Sequence, residues 1–259
     1  MGAGTVVRST RRAVPATIPA PVSARLGYIP EKFLFCSKSS LPPVSIKAVM
    51  KIFSPMLMLC LLSIPNGVSA DEAKGGFVSL FDGKSLAGWR ASENKDSWFV
   101  KEGMLVCHGP RSHLFYVGEL APFKNFHFKT EVMTTPGSNS GIYFHTRYQE
   151  DGWPKYGYEC QVNITHRDPK KTGGLYAVAD VFDPPVKDNQ WYTQEIIVQG
   201  NRIVLKVNGQ ILVDYEEPED KPITDDQFER RLSEGTFALQ AHDPDSKVFF
   251  RNLQVKPLP

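Results

Sequence analysis

Glu195-Ile-Ile-Val198, Gly200-Asn201, Arg202-Ile-Val-Leu-Lys-Val207, Asn208-Gly209-Gln210, Ile211-Leu-Val213: in order, these are three short apolar runs joined by two tight turns. Runs of this length, rich in β-branched residues and punctuated by Gly and Asn, predict strands, and Asn208-Gly209 is a strong hairpin signal. The same grammar extends toward the N-terminus. Phe77-Val-Ser-Leu-Phe81 stops at Asp82-Gly83, Trp98-Phe-Val-Lys101 turns at Glu102-Gly103 into Met104-Leu-Val-Cys107, and Phe126 to Met133 alternates Phe126, Phe128 and Val132 against polar residues. Toward the C-terminus, Thr236 to Ala241 and Val248 to Val255 add two more runs, and only Ile223 to Leu232 reads as a short helix. Many short strands without intervening helices predict an all-β chain folded as an antiparallel sandwich or jelly roll.

Residues 71–259 are expected to form this single domain. Met50 to Ala70 reads as an export signal: Lys51 gives the positive start, Met56 to Ile64 is apolar, Pro65-Asn66-Gly67 breaks it, and Val68-Ser69-Ala70 offers small residues for cleavage near Ala70. The apolar core is shorter than the roughly 20 residues of a membrane span, so a mature form without one is expected, in the periplasm or secreted. Residues 1–49 form a basic extension with scattered prolines and no period. Either translation starts at Met50, or the extension is a long basic presequence.

Residues 1–70 hold 8 of the 30 basic and 1 of the 28 acidic side chains, which leaves 22 against 27, a net charge near −5. The domain therefore lacks the basic balance that nucleic-acid binding calls for. Cys107 and Cys160, the two cysteines left, lie in apolar runs and could pair or stay buried and free. Nothing in the chain has the spacing of a zinc finger, a phosphate loop or a GxSxG nucleophile elbow.

Chemistry concentrates between Asn139 and Tyr176. In Ser140-Gly-Ile-Tyr-Phe-His-Thr-Arg147, a period of two puts Ile142 and Phe144 on one face and Tyr143, His145 and Arg147 on the other. In Gly157-Tyr-Glu-Cys-Gln-Val-Asn163, Tyr158, Cys160 and Val162 face one way, and Glu159, Gln161 and Asn163 the other. If the two strands pair across the Tyr148–Tyr156 loop, one sheet face gathers a carboxylate, an imidazole, a guanidinium, carboxamides and a phenol, a content suited to a binding or catalytic cleft. An ordinary solvated sheet face is the competing reading. His166, Tyr176, Gln240 and His242 lie where loops at strand ends would reach the same face, whereas Trp89, Trp98 and Trp191 read as core.

Phe81-Asp-Gly-Lys-Ser-Leu-Ala-Gly-Trp89, Trp98-Phe-Val-Lys-Glu-Gly-Met-Leu105, Asn139-Ser-Gly-Ile142, Gly157-Tyr-Glu-Cys-Gln161, Thr172-Gly-Gly-Leu-Tyr176, Asn208-Gly209 and Phe250-Arg-Asn-Leu253 resemble, in order, the signatures of the 3-keto-disaccharide hydrolase family. That family is also described as 3-keto-glucoside 1,2-lyase and 2-hydroxy-glucal hydratase, and was formerly a domain of unknown function. The resemblance implies a concanavalin-like sandwich acting on glycosides already oxidised at C3, with an upstream C3 oxidoreductase as an expected partner. It departs at Phe237, where the family usually has Gly, and at Ala241-His242-Asp243, where it usually has Asp-His-Gly, so a changed cleft edge is expected.

A C3 ketone acidifies the C2 hydrogen, so a base can remove it, the C1 aglycone can leave by β-elimination, and water can add back. On this reading Glu159 or a nearby histidine transfers the proton, and Arg147, His145 or a bound divalent ion stabilises the oxyanion. Tyr143, Gln161, Asn163, Tyr176, Gln240 and His242 would hold the sugar, and Trp153 would stack on it. His145, Glu159 and His166 are the candidate ligands for a divalent metal ion, the one cofactor these residues could hold; nothing in the sequence makes it certain. The alternatives are a non-catalytic carbohydrate-binding module and a structural protein with no small ligand.

Overall fold

The computed structural model describes residues 75–223 and 225–259. The predicted extension and export signal lie outside the described residues. Thirteen strands form two antiparallel sheets. The larger runs β11 (Gln210–Glu216), β10 (Arg202–Val207), β9 (Tyr192–Gln199), β6 (Phe126–Thr134), β13 (Lys247–Pro257), β4 (Met104–His108), β3 (Trp98–Lys101), with the short β1 (Val78–Ser79) also on β13. The smaller runs β2 (Trp89–Ala91), β5 (Ser112–Tyr116), β12 (Thr236–Ala241), β7 (Asn139–Thr146), β8 (Tyr158–Asn163). The chain is an all-β, concanavalin-like sandwich: the strand pattern predicts the antiparallel sandwich, and the family resemblance implies its concanavalin-like form. No helix among the described residues is long and apolar enough to cross a membrane.

Alternation explains the layering. Phe126, Phe128, Ile196, Val198, Ile203, Leu205, Phe250 and Val255 of the larger sheet meet Leu114, Ile142, Phe144, Cys160, Phe237 and Leu239 of the smaller one in one buried core. Each such side chain contributes roughly 1.5–3 kcal/mol on burial. Phe237 belongs entirely to this core, with ring centroids 4.6 Å from Phe128 and 4.8 Å from Phe126. The family departure at this position therefore thickens the core and does not alter a cleft edge.

Three further expectations are corrected and one open alternative, that of the cysteines, is decided. Ile223 to Leu232 is not helical: its described residues form an irregular loop, and Arg230 has a positive φ of 40° that no helix accommodates. Cys107 and Cys160 are both buried and free, on strands of different sheets. Trp89 and Trp98 are core, but Trp191 is only partly buried, beneath the Arg251 guanidinium 4.0 Å from its ring centre. Finally, alternation along β7 stops at Phe144. His145 takes a φ of 56° beside a register shift between β7 and β12, so its side chain does not continue the face begun by Tyr143.

Candidate functional site

β7 and β8 pair with Tyr143 opposite Glu159 and Ile142 opposite Cys160. Ile142 and Cys160 point into the core, so Tyr143 and Glu159 point to the other face of the smaller sheet, joined by Gln161 and by Gln240 of β12. Three loops wall this face. Trp153-Pro154-Lys155 comes from the β7–β8 hairpin, Asp168, Lys170 and Tyr176 follow β8, and Phe228 and Arg230 come from the loop before β12. They enclose a cavity of about 390 Å³, of the size that holds small ligands.

At its floor the Glu159 carboxylate is held from both sides. Tyr143 OH donates to Oε2 at 2.9 Å, and Gln240 Nε2 donates to Oε1 at 3.0 Å and to the Tyr143 oxygen at 3.1 Å. Burial raises the Glu159 pKa to about 7, outweighing the two hydrogen bonds and the nearby Arg230 charge, which favour the anion. Burial, and then the neighbouring Glu159, push the Tyr143 phenol well above its ordinary range, so it stays a donor. Gly141 makes room for the carboxylate, since a Cβ there would overlap Glu159 Oε1. A carboxyl group poised near neutrality in a small-molecule cavity is suited to proton transfer.

The other predicted residues divide clearly. Glu159, Tyr143, Gln161, Trp153, Tyr176, Gln240 and His242 all line the cavity. Tyr176 donates to Asp168 Oδ2 at 3.1 Å, and burial followed by the Asp168 charge lifts its pKa to about 12. Asn163 is instead scaffold: it is fully buried, and its Nδ2 donates to the carbonyls of Asp168 at 3.0 Å and Lys170 at 2.7 Å, shaping the loop above it. Arg147 is exposed and lies flat on Tyr156, 3.3 Å from its ring centre. His145 is buried with both nitrogens engaged: Ser233 N–H donates to Nδ1 at 3.1 Å, and Nε2 donates to the Lys124 carbonyl at 2.9 Å. Burial lowers its pKa to about 4, against the opposing effect of that carbonyl. Neither His145 nor Arg147 lines the cavity. The cations that do include Arg230 and Lys170, which sequence reasoning missed. Arg230 lay hidden in a charged stretch that read as a helix.

The metal-ligand set suggested by sequence is also rearranged. Among the described residues, His166, His242 and Asp243 place potential ligand atoms within 4.8 Å of one another, without His145 or Glu159. The hydrogen bonds give this trio a different character. Asp168 N–H donates to His166 Nδ1 at 3.1 Å and Asn139 Nδ2 lies 3.3 Å from the same atom, so the His166 proton sits on Nε2. That nitrogen lies 3.9 Å from Asp243 Oδ2 and, carrying the proton, presents no lone pair to a metal.

A family profile described as the 3-keto-alpha-glucoside-1,2-lyase-like domain matches residues 76–256. The chain belongs to this family. Membership places it among carbohydrate-active domains. It is 25% identical to a 3-keto-disaccharide hydrolase of Bacteroides thetaiotaomicron, over 71% of this chain and 79% of that protein. Two solved structures of candidate glycosyl hydrolases from Parabacteroides distasonis share the fold. One matches with a TM-score of 0.60 at 22% identity, covering 71% of this chain and 94% of its own. The other matches with a TM-score of 0.53 at 22% identity, covering 70% and 99%.

Proposed function

We propose that the cleft cleaves glycosides already oxidised at C3. The observation that carries this reading is Glu159, a carboxylate of pKa about 7 held between Tyr143 and Gln240 at the cavity floor, whereas Asp168, the other carboxylate of the lining, is engaged by Tyr176 OH and the Lys170 N–H. Family membership and the relative from Bacteroides thetaiotaomicron support it. A C3 ketone makes the C2 hydrogen acidic enough for one well-placed base, whereas ordinary glycoside hydrolysis uses a pair of carboxylates flanking the bond.

Glu159 takes the C2 hydrogen, and the electron pair of that bond forms an enediolate with C3. Arg230 or Lys170 stabilises the new negative oxygen, in place of Arg147 and His145, which lie elsewhere. Collapse of the enediolate expels the C1 oxygen by β-elimination. Addition of water at C1, with return of the proton to C2, completes net hydrolysis. Trp153 and Tyr176 offer apolar ring faces for the sugar, and Gln161 and Gln240 offer polar groups to its hydroxyls. The reading extends to the setting: an oxidoreductase acting on sugar C3 must supply the substrate, and the Met50–Ala70 signal sends the domain out of the cytoplasm.

The test is incubation of the purified protein with a 3-keto-disaccharide and with its unoxidised parent, followed by mass spectrometry of released sugar. Release from the keto form alone is expected. Binding of the keto form by calorimetry with no release would overturn the enzyme reading in favour of a carbohydrate-binding module.

A further inference from the structure

His242 follows β12, two residues after Gln240, and both line the cavity. Two residues along extended chain span roughly 7 Å, and Gln240 holds Glu159, so the His242 imidazole lies along the same wall as the carboxylate. Its orientation is fixed. His242 Nδ1 lies 2.7 Å from Asp243 Oδ2 and donates to it, since the carboxylate can only accept. Asp243 is itself locked: Ser246 OH donates to Oδ2 at 3.0 Å, and the backbone N–H groups of Asp245 and Ser246 donate to Oδ1 at 2.9 and 3.0 Å. Burial would raise the Asp243 pKa, but the hydrogen bonds from His242 and Ser246 outweigh it and keep the group ionised.

With Nδ1 committed to a carboxylate, His242 Nε2 is the nitrogen left for a ligand. A nucleophile or base oriented by an acid through its far nitrogen is a recurring way of fixing tautomer and stabilising imidazolium. The groups around the ring agree. His166, its ring centre 5.4 Å away, is held neutral first by burial and then by His242 itself. Trp153 packs against the ring at 5.3 Å, with Arg111 at 5.1 Å from the Trp153 ring and the fully buried His113 at 5.4 Å from it. Of these, only Asp243 is a carboxylate.

We propose that His242, oriented by Asp243, is the second proton-transfer group of this cleft, the acid that protonates the leaving glycosidic oxygen. The inference rests on the reading of the cleft as a site of elimination. Imidazolium at His242 gives its Nε2 proton to the C1 oxygen as the C1–O bond breaks, while Glu159 holds the proton taken from C2. The neutral Nε2 then takes a proton from the incoming water as its oxygen bonds to C1, and Glu159 returns its proton to C2. The sum is 3-keto-glycoside plus water giving 3-keto-sugar plus alcohol, with both groups restored. Asp243 is a positioning residue in this scheme.

The experiment compares two leaving groups on 3-keto-glucosides, glucose as in a disaccharide and 4-nitrophenol, whose oxygen departs as an anion without a proton. His242→Gln should lower the single-turnover rate of aglycone release from the disaccharide by roughly 100-fold or more, in the range of general acid catalysis, and leave that of the nitrophenyl substrate within a few-fold, because release precedes the addition of water. Asp243→Asn, which keeps the shape, should show the same selective loss to a smaller degree, with KM unchanged and the alkaline limb of the pH profile shifted. Equal loss on both substrates would overturn the inference alone. Loss of disaccharide turnover on chelation, restored by a divalent ion, would also overturn it and make the trio a metal centre. Failure of the unaltered protein to release either aglycone would remove the elimination reading itself.

Discussion

Glu159 is exposed to two opposed demands, and both can be measured. A carboxyl group of ordinary pKa 4.5 raised to about 7 binds its proton more tightly in the fold than in the unfolded chain. Its contribution to stability is fully present below about pH 4.5 and is lost as the pH rises through 7, so the anion costs about 3 kcal/mol at alkaline pH. Catalysis needs that same anion. Glu159→Gln should therefore melt several degrees above the unaltered protein at pH 8 and coincide with it near pH 5, while turnover of a 3-keto-glucoside falls roughly 100-fold or more. Turnover of the unaltered protein should rise as the pH passes through about 7. Equal melting at both pH values would show that the carboxylate is well solvated and remove the physical basis for its role. The content of this site was legible because Tyr143, Glu159 and Gln161 sit in strands whose other faces are plainly apolar. His145 was not legible. A non-glycine residue at φ 56° leaves no mark in a polar and apolar pattern, and its two hydrogen bonds run to backbone of Lys124 and Ser233.

Strands and loops position the group, and each can be perturbed alone. Gly141 of β7 faces the Glu159 carboxylate from the neighbouring strand, so Gly141→Ala should lower kcat by displacing it. The change is small in volume, and circular dichroism should report an intact sandwich. The loop that carries Phe228 and Arg230 is tied down on its far side. Tyr158 OH donates to Glu217, Lys221 Nζ donates to Tyr158 OH and to the Arg230 carbonyl at 2.6 Å each, and Leu232 N–H donates to Glu217 at 3.1 Å. Glu217→Ala leaves the Tyr158 hydroxyl and the Leu232 N–H without their acceptor at a cost of about 1–3 kcal/mol. It should raise KM more than it lowers kcat and hasten amide exchange between residues 217 and 234; unchanged exchange would mean that the loop is held by other contacts. This tether explains why the stretch misread as helix: its charged residues serve a tertiary pair, Lys155 with Glu229 at 4.0 Å, and a non-helical local pair, Arg230 with Asp225 at 3.5 Å. β5 was missed for a related reason. Ser112 to Tyr116 is buried on both faces, so Phe115 and Leu114, neighbours in sequence, are both apolar and the alternation vanishes.

Across the whole molecule, the two sheets are held by packing, which bears on the redox behaviour of the domain. Cys107 lies on β4 of the larger sheet and Cys160 on β8 of the smaller one, both fully buried. Gln194 Nε2 donates to the Cys160 sulfur at 2.9 Å. Burial pushes both thiols up to about 12, so neither supplies the thiolate that disulfide exchange requires. From sequence alone the pair was ambiguous, because an apolar strand accepts a buried thiol and a disulfide half equally well. The fold separates the two cases through topology, which local pattern does not carry. A domain of this size buries enough apolar surface to fold without a covalent staple. The purified domain should thus show two free thiols by mass after alkylation in denaturant, and no reaction with a thiol reagent while folded. Its melting temperature should be the same with and without reductant. A mass lower by two hydrogens, with a reductant-dependent fall in melting temperature, would mean that the strands carrying the two sulfurs approach one another and that the inter-sheet packing described above is incomplete.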